Sequence, residues 1–208
     1  MILPDHFKLS DEAVAASLHA GGFGHIVTPG PETLEVTSSP LLFNEENNSL
    51  EGHLARANPH WQYTSAGETV VIIPRTDAYV TPEYYPSKYE THKVVPTWNY
   101  EVLYVYGQLI SHDDKDWLLD HVTKLTRQHE TGREKEWTPD EAPEKFINLQ
   151  LRGIVGIELQ ISRVYGKAKM NQNRSQEDRS GVIRGLEKGT LSERATAAAM
   201  IAAGLDHP

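Results

Sequence analysis

The chain reads as an α+β fold, mainly antiparallel, with helices peripheral to a barrel or sheet. Three observations point there. Several strand patterns joined by short turns fill the first third of the sequence. Strands and helices then mix without regular βαβ alternation, which argues against a doubly wound parallel sheet. No internal repeat or low-complexity linker divides the 208 residues, which suit one large domain or one domain with an appended helical part. A hydrophobic content of 38% and a charged content of 24% match a globular chain able to bury a real core.

In chain order, Ser10 caps a short helix bearing Ala13, Val14, Ala16 and Leu18, and Gly21-Gly22 ends it. Phe23 to Val27 is a strand, followed by a Pro29-Gly30-Pro31 turn. Leu34 to Phe43 and Leu50 to Leu54 are strands around the polar turn Asn44 to Asn48. Ala55 to Trp61 breaks the pattern as a short helical turn. Thr69 to Ile73 is a continuous apolar run fit for a buried strand. Thr97 to Ile110 is a long strand. Ser111, with Asp114 three residues on, signals a capped helix that places Leu118, Val122 and Leu125 on one face and ends near Thr131-Gly132. Pro143 opens the next helix, carrying Phe146, Ile147 and Leu151. Ile154 to Lys169 is a second long strand. Ser175 with Asp178 and Thr190 with Glu193 are capping boxes, and Ala195 to Ala203 is helical by propensity.

The stretch from Tyr79 to Tyr106 organises the chain. Seven of the nine tyrosines lie in it. Pro82, Pro86 and Pro96 punctuate its first half, removing backbone donors. Its second half alternates, with Trp98, Tyr100, Val102, Tyr104 and Tyr106 on one side and Thr97, Asn99, Glu101, Leu103 and Val105 on the other. A rigid aromatic loop carrying Ser87, Lys88, His92 and Lys93 thus feeds a strand beginning Thr97-Trp98-Asn99. Hydroxyls, cations and flat aromatic surfaces together suit a planar ligand with an anionic tail.

Other function classes are disfavoured. A net charge of −9 argues against a nucleic-acid surface spread over the whole molecule. With no Cys there is no disulfide framework, thiolate metal site or cysteine nucleophile. The N-terminal stretch Met1 to Phe7 lacks the apolar core of a signal peptide, and no apolar run reaches membrane-spanning length, so a cytoplasmic location is expected. Gly21-Gly22-Phe23-Gly24 lies between a helix and a strand, the wrong order for a phosphate loop. No Gly-x-Ser-x-Gly elbow occurs, and His129-Glu130 has no second His at zincin spacing. His121 and His129 read as lying on a solvated face, and no metal site is expected. No general acid or base stands out.

Two segments hold the candidate binding residues, Gly52 to Asn58 and Lys88 to Asn99. A flavin mononucleotide needs cations, hydroxyls or N–H groups for its phosphate, and an apolar or aromatic wall with a few polar groups for its ring. Arg56, Ser87, Lys88 and Thr97 are suited to the first need, and His53, Asn58, Trp98 and Asn99 to the second. Residue by residue the bland reading competes well: the aromatics as core, Lys88 and Lys93 as a solvated loop. The coincidence of polar groups, prolines and aromatics favours binding for the cluster.

Gly52-His53-Leu54-Ala55-Arg56-Ala57-Asn58-Pro59-His60-Trp61, Tyr84-Tyr85-Pro86-Ser87-Lys88, Val94 to Tyr100, Ile154 to Glu158 and Gln172-Asn173-Arg174 occur in order over nearly the whole chain. In these motifs it resembles the PaiB-type family, the FMN-binding "negative transcriptional regulators". The resemblance implies an FMN-binding split β-barrel related to pyridoxamine-phosphate oxidases and flavin reductases, a homodimer with flavin sites at the subunit interface. It implies a site lined by His53, Arg56, Asn58, Lys88, Thr97, Trp98 and Asn99, with Lys169, Gln172 and Arg174 reaching it from the last strand. His25 and Asn171 depart from the family pattern. The expected organisation is a split barrel over 1–170 and a helical extension over 171–208 that packs on the barrel or the partner subunit. In that extension Arg179, Arg184, Lys188 and Arg194 interleave with Glu177, Asp178, Glu187 and Glu193, so no clear DNA-binding motif is present and an effect on transcription would be indirect. Two alternatives stay open: a flavin-dependent oxidoreductase or reductase on the same fold, and a flavin-free DNA-binding repressor.

Overall fold

A computed structural model describes residues 3–64 and 66–206; Met1 and Ile2, the start of the N-terminal stretch read above, lie outside them. Its strands are β1 (Gly22–Pro29), β2 (Leu34–Asn44), β3 (Ser49–Ala55), β4 (Thr69–Val80), β5 (Thr97–His112) and β6 (Ile154–Lys169). Its α-helices are α1 (Asp11–His19), α2 (Ser87–Thr91), α3 (Lys115–Glu130), α4 (Glu144–Arg152), α5 (Gln176–Leu186) and α6 (Leu191–Ala202). The strands run in the ring order β1-β2-β3-β6-β5-β4. Antiparallel pairing of His25 with Ile72 and Val27 with Val70 closes the ring between β1 and β4. The fold is therefore α+β and antiparallel. No helix among the described residues is long and apolar enough to cross a membrane.

Three local expectations need correction. Ser111 does not cap α3: β5 runs on to His112, and the Asp114 carboxylate accepts from the backbone N–H groups of Asp116 and Trp117. The strand expected to stop at Ile73 continues through Pro74 to Val80. The loop read through Ser87 and Lys88 contains the one-turn helix α2, ended by His92 in the left-handed region at φ 55°.

The chain folds as two compact units, and the three long strands each pass from one to the other. The first unit takes residues 1–14, 74–103 and 165–208. Its core is built from Val80, Tyr85, Met170, Val182, Leu186 and Met200, all fully buried. The stretch expected to form a helical extension contains α5 and α6, capped by Ser175 and Thr190. Gly181 and Gly185, one turn apart on α5, admit the turn before α2: a Cβ at Gly181 would stand 2.2 Å from the Tyr84 carbonyl oxygen, and one at Gly185 2.4 Å from the Tyr84 ring.

The second unit takes residues 15–73 and 104–164. Ile26, Leu50, Ile73, Leu109, Ile157 and Leu159 fill it, each almost wholly withdrawn from solvent and each contributing roughly 1.5–3 kcal/mol by burial. In the β3–β6 ladder His53 faces Gly156. A Cβ at Gly156 would lie 2.2 Å from the Trp117 ring. That missing side chain lets α3 settle on the sheet and brings His121 towards β3.

Candidate functional site

The eleven residues singled out from sequence divide between the two units. In the first unit, Thr97 opens β5 and Lys169 ends β6. The Lys169 ammonium donates to the Trp98 carbonyl at 2.7 Å and to the Thr97 hydroxyl. With Arg174, Asn171 and Asn173 they line a cavity of about 130 Å³ whose walls carry no carboxylate. Burial lowers the pKa of Lys169 from the ordinary lysine value, and the like charges of Lys167 and Arg174 lower it further. This corner is thus a concentration of positive charge without a balancing anion in its walls.

The turn that presents Arg174 is local in origin. Asn171 sits in the left-handed region at φ 63°, which Asn tolerates better than most residues. Its amide donates to the Tyr85 hydroxyl at 3.1 Å, and its carbonyl accepts from the Arg174 N–H. The Arg174 guanidinium lies 5.3 Å from the centre of the Tyr85 ring. Gln172 braces the same turn, accepting from the Met170 N–H and donating to the Ala168 carbonyl. Trp98 is 54% exposed and meets Tyr79 edge-on at 6.0 Å.

The other candidates in this unit have different surroundings. Asn99 is fully buried against the Met200 sulfur at 3.4 Å, and its Oδ1 has no hydrogen-bond partner. The Ser87 hydroxyl and backbone N–H both donate to Asp178. Lys88 donates to Glu83, which also accepts from Tyr89. Neither Ser87 nor Lys88 lines the Lys169 cavity.

His53, Arg56 and Asn58 belong to the second unit. The Arg56 guanidinium donates to the Arg152 and Ile154 carbonyls at 2.8 and 2.9 Å and grips Asp113 with two further bonds. The Asp113 bond raises the Arg56 pKa, and Arg56 holds the Asp113 carboxyl below its usual range. Asn58 donates to Thr37 and accepts from the His60 N–H, capping the short turn Pro59–Tyr63.

His53 has a partner that the sequence reading misplaced. His121, expected on a solvated face, is completely buried, and its Nε2 lies 3.1 Å from His53 Nδ1. Trp117 stacks on the His121 ring, 5.3 Å between centres. His121 Nδ1 is 3.9 Å from the Glu51 carboxylate, an ion-pair distance too long for a hydrogen bond, so this nitrogen has no hydrogen-bond partner. Burial, reinforced by His121, pushes His53 down to about 4. The signal for His121 was present: its helical neighbours at i−4, i−3 and i+4 are Trp117, Leu118 and Leu125.

Residues 1–163 match the family described as "Putative FMN-binding domain". "Protease synthase and sporulation protein PAI 2" of Bacillus subtilis is 29% identical over 90% of this chain and 89% of its own length. An uncharacterized protein of Emericella nidulans is 32% identical over 77% of this chain and 72% of its own. Among solved structures, the flavocytochrome Anf3 of Azotobacter vinelandii superimposes with a TM-score of 0.57 at 16% identity, over 77% of this chain and 67% of that one. The FAD and heme binding protein of Mycobacterium smegmatis does so with a TM-score of 0.58 at 14% identity, over 81% and 76%. At these identities the structures establish a shared fold.

Proposed function

This chain belongs to that FMN-binding family, and from its membership we propose that it binds FMN, with the phosphate held at Lys169, Arg174 and Thr97. The observation that carries this reading is the corner of uncompensated cations. Like charges crowded around a partly buried ammonium are unfavourable alone and become favourable when a dianion joins them. The donor set fits: an ammonium, a guanidinium, a hydroxyl and the Asn amides surround a space suited to one phosphate.

In this reading Lys169 and Arg174 neutralise the phosphate, Thr97 orients it, and the exposed Trp98 face offers a wall for the ring. When bound, the flavin supplies redox chemistry that needs few protein groups. A second copy of the chain completes the site by covering the apolar surface of Trp98 and Val95, 54% and 66% exposed. The protein works in the cytoplasm, and any regulatory effect on transcription is indirect. On α5 the Arg179 guanidinium is held by the carbonyls of Leu205 and Arg174, and on α6 Arg194 is held by that of Gly189, an arrangement that spends these cations within the fold.

A visible absorption spectrum taken after adding FMN and desalting tests the proposal. About one retained flavin per chain is expected for a built site. A flavin that washes away completely, from protein that remains folded, contradicts it.

A further inference from the structure

A cavity of about 300 Å³ lies in the second unit between β3, α3, α4 and the segment joining the two helices. Trp137, Phe146, Ile147 and Val122 supply apolar walls, and His53, Thr126 and Gln150 are among its polar groups. No Lys, Arg, Asp or Glu lines it. Trp137 and Phe146 remain 42% and 53% exposed at its rim. At roughly 30 Å³ per water-sized atom, it has room for roughly ten heavy atoms, and its volume is at the low end for small-molecule sites.

The chemistry of its polar wall follows from the groups behind it. Glu51 is buried, accepts from the Asn44 amide at 2.6 Å, and is held ionised chiefly by His121. Of the His121 ring nitrogens, Nδ1 is the one at ion-pair distance from this carboxylate, 3.9 Å away. Placing that ring's proton on Nδ1, facing the anion, leaves His121 Nε2 as an acceptor. His53 Nδ1 must then carry a proton and donate it across the 3.1 Å contact. His53 Nε2 is left with a lone pair and no protein hydrogen bond among the described residues. With its depressed pKa, His53 stays neutral at pH 7, so this nitrogen accepts hydrogen bonds and does not donate them.

We propose that this cavity binds a small neutral aromatic molecule bearing an O–H or N–H donor, with His53 Nε2 accepting from that donor. Glu51 and His121 are positioning residues: they fix the His53 tautomer and do not touch the ligand. The Glu51 end of the chain opens on a separate, more polar cavity of about 450 Å³ lined also by Asn44, Lys124 and Gln128. The proposal is independent of FMN binding, because none of its residues belongs to the cation corner.

The test titrates the whole protein, without added flavin, with 2-naphthol and with 2-methoxynaphthalene, which has nearly the same shape and no donor. Naphthol fluorescence and calorimetry report binding. The expected result is saturable binding of 2-naphthol at one site, at least about tenfold tighter than the ether, as one buried hydrogen bond would give. His53→Phe should erase that preference. Because His53 also supports His121, a second variant guards against misfolding: Gln150→Trp, at an exposed position on the rim, should abolish binding of both compounds while leaving the melting temperature unchanged. Equal affinity for both compounds in the wild type would overturn the proposal. So would a site that binds haem, with a Soret band dependent on His53, and takes up no 2-naphthol.

Discussion

Arg56 and Lys169 are both half-buried cations near the end of a strand, each bonded to backbone carbonyls, yet they end in opposite electrostatic states. Arg56 has Asp113 in a two-pronged grip, and its charge is spent. Lys169 has Lys167 and Arg174 for neighbours, and its charge is left over. In the sequence Arg56 looked like a phosphate ligand, while Lys169 entered only as a residue that the family resemblance brings to the site. The difference teaches that a cation's role is set by the sign of what surrounds it more than by its motif. A balanced cation holds protein to protein, whereas an unbalanced one is available to an external anion.

The comparison can be broken most forcefully at the unbalanced corner. Lys169→Gln with Arg174→Gln should weaken FMN binding by about 100-fold or more, given roughly 1.5–3 kcal/mol for each charge-assisted bond. The melting temperature should hold or rise, because like-charge repulsion is removed. A fall in stability equal to the loss of binding would reverse the roles assigned here.

The second unit offers a group whose charge is suppressed instead of balanced. Folding lowers the His53 pKa from 6.5 to about 4. Between those values the unfolded chain binds the extra proton, so stability rises with pH through this window and is lost as pH falls through it. The effect is on the order of 3 kcal/mol. Glu51, whose carboxyl is also lowered, adds loss of the same sign at lower pH. Urea melts between pH 7 and 4 should show this decline, and His53→Phe should flatten its upper part.

A smaller change sharpens the balanced corner. Asp113→Ala should lower the melting temperature by roughly 2–4 °C, as expected for a largely solvent-facing ion pair. Arg56→Ala should cost more, because the bonds to the Arg152 and Ile154 carbonyls go as well. Neither should alter FMN affinity beyond about twofold; a large loss in Arg56→Ala alone would put Arg56 back among the phosphate ligands.

Much of the fold was legible. Alternation from Val155 to Ser162 marked β6, which was read over its observed bounds Ile154–Lys169, and side-chain caps gave the starts of α5 and α6. These are local signals, written in period and in the residue before a helix. Where the apolar run ended at Ile73, the strand continued through Pro74 to Val80, since its course depends on neighbouring strands that one segment does not reveal. The site divided in the same way. Cation and hydroxyl candidates could be read by type, but whether Asp113 or another cation stands beside them is a matter of residues up to about a hundred positions away. Arg56 with Ile154, Ser87 with Asp178 and Lys169 with Thr97 are all pairings of that kind. The His53–His121 contact is another, and it turned a histidine read as solvated into the most enclosed one of its helix.

The most direct test of the central claim compares FMN with riboflavin, which lacks only the phosphate, by equilibrium titration of the wild-type protein and of the Lys169→Gln/Arg174→Gln variant. The account predicts that the wild type prefers FMN by about 100-fold or more, from at least two charge-assisted contacts, and that the variant binds both compounds alike at the riboflavin level. A preference for FMN that survives intact in the variant would contradict it and place the phosphate elsewhere in the molecule.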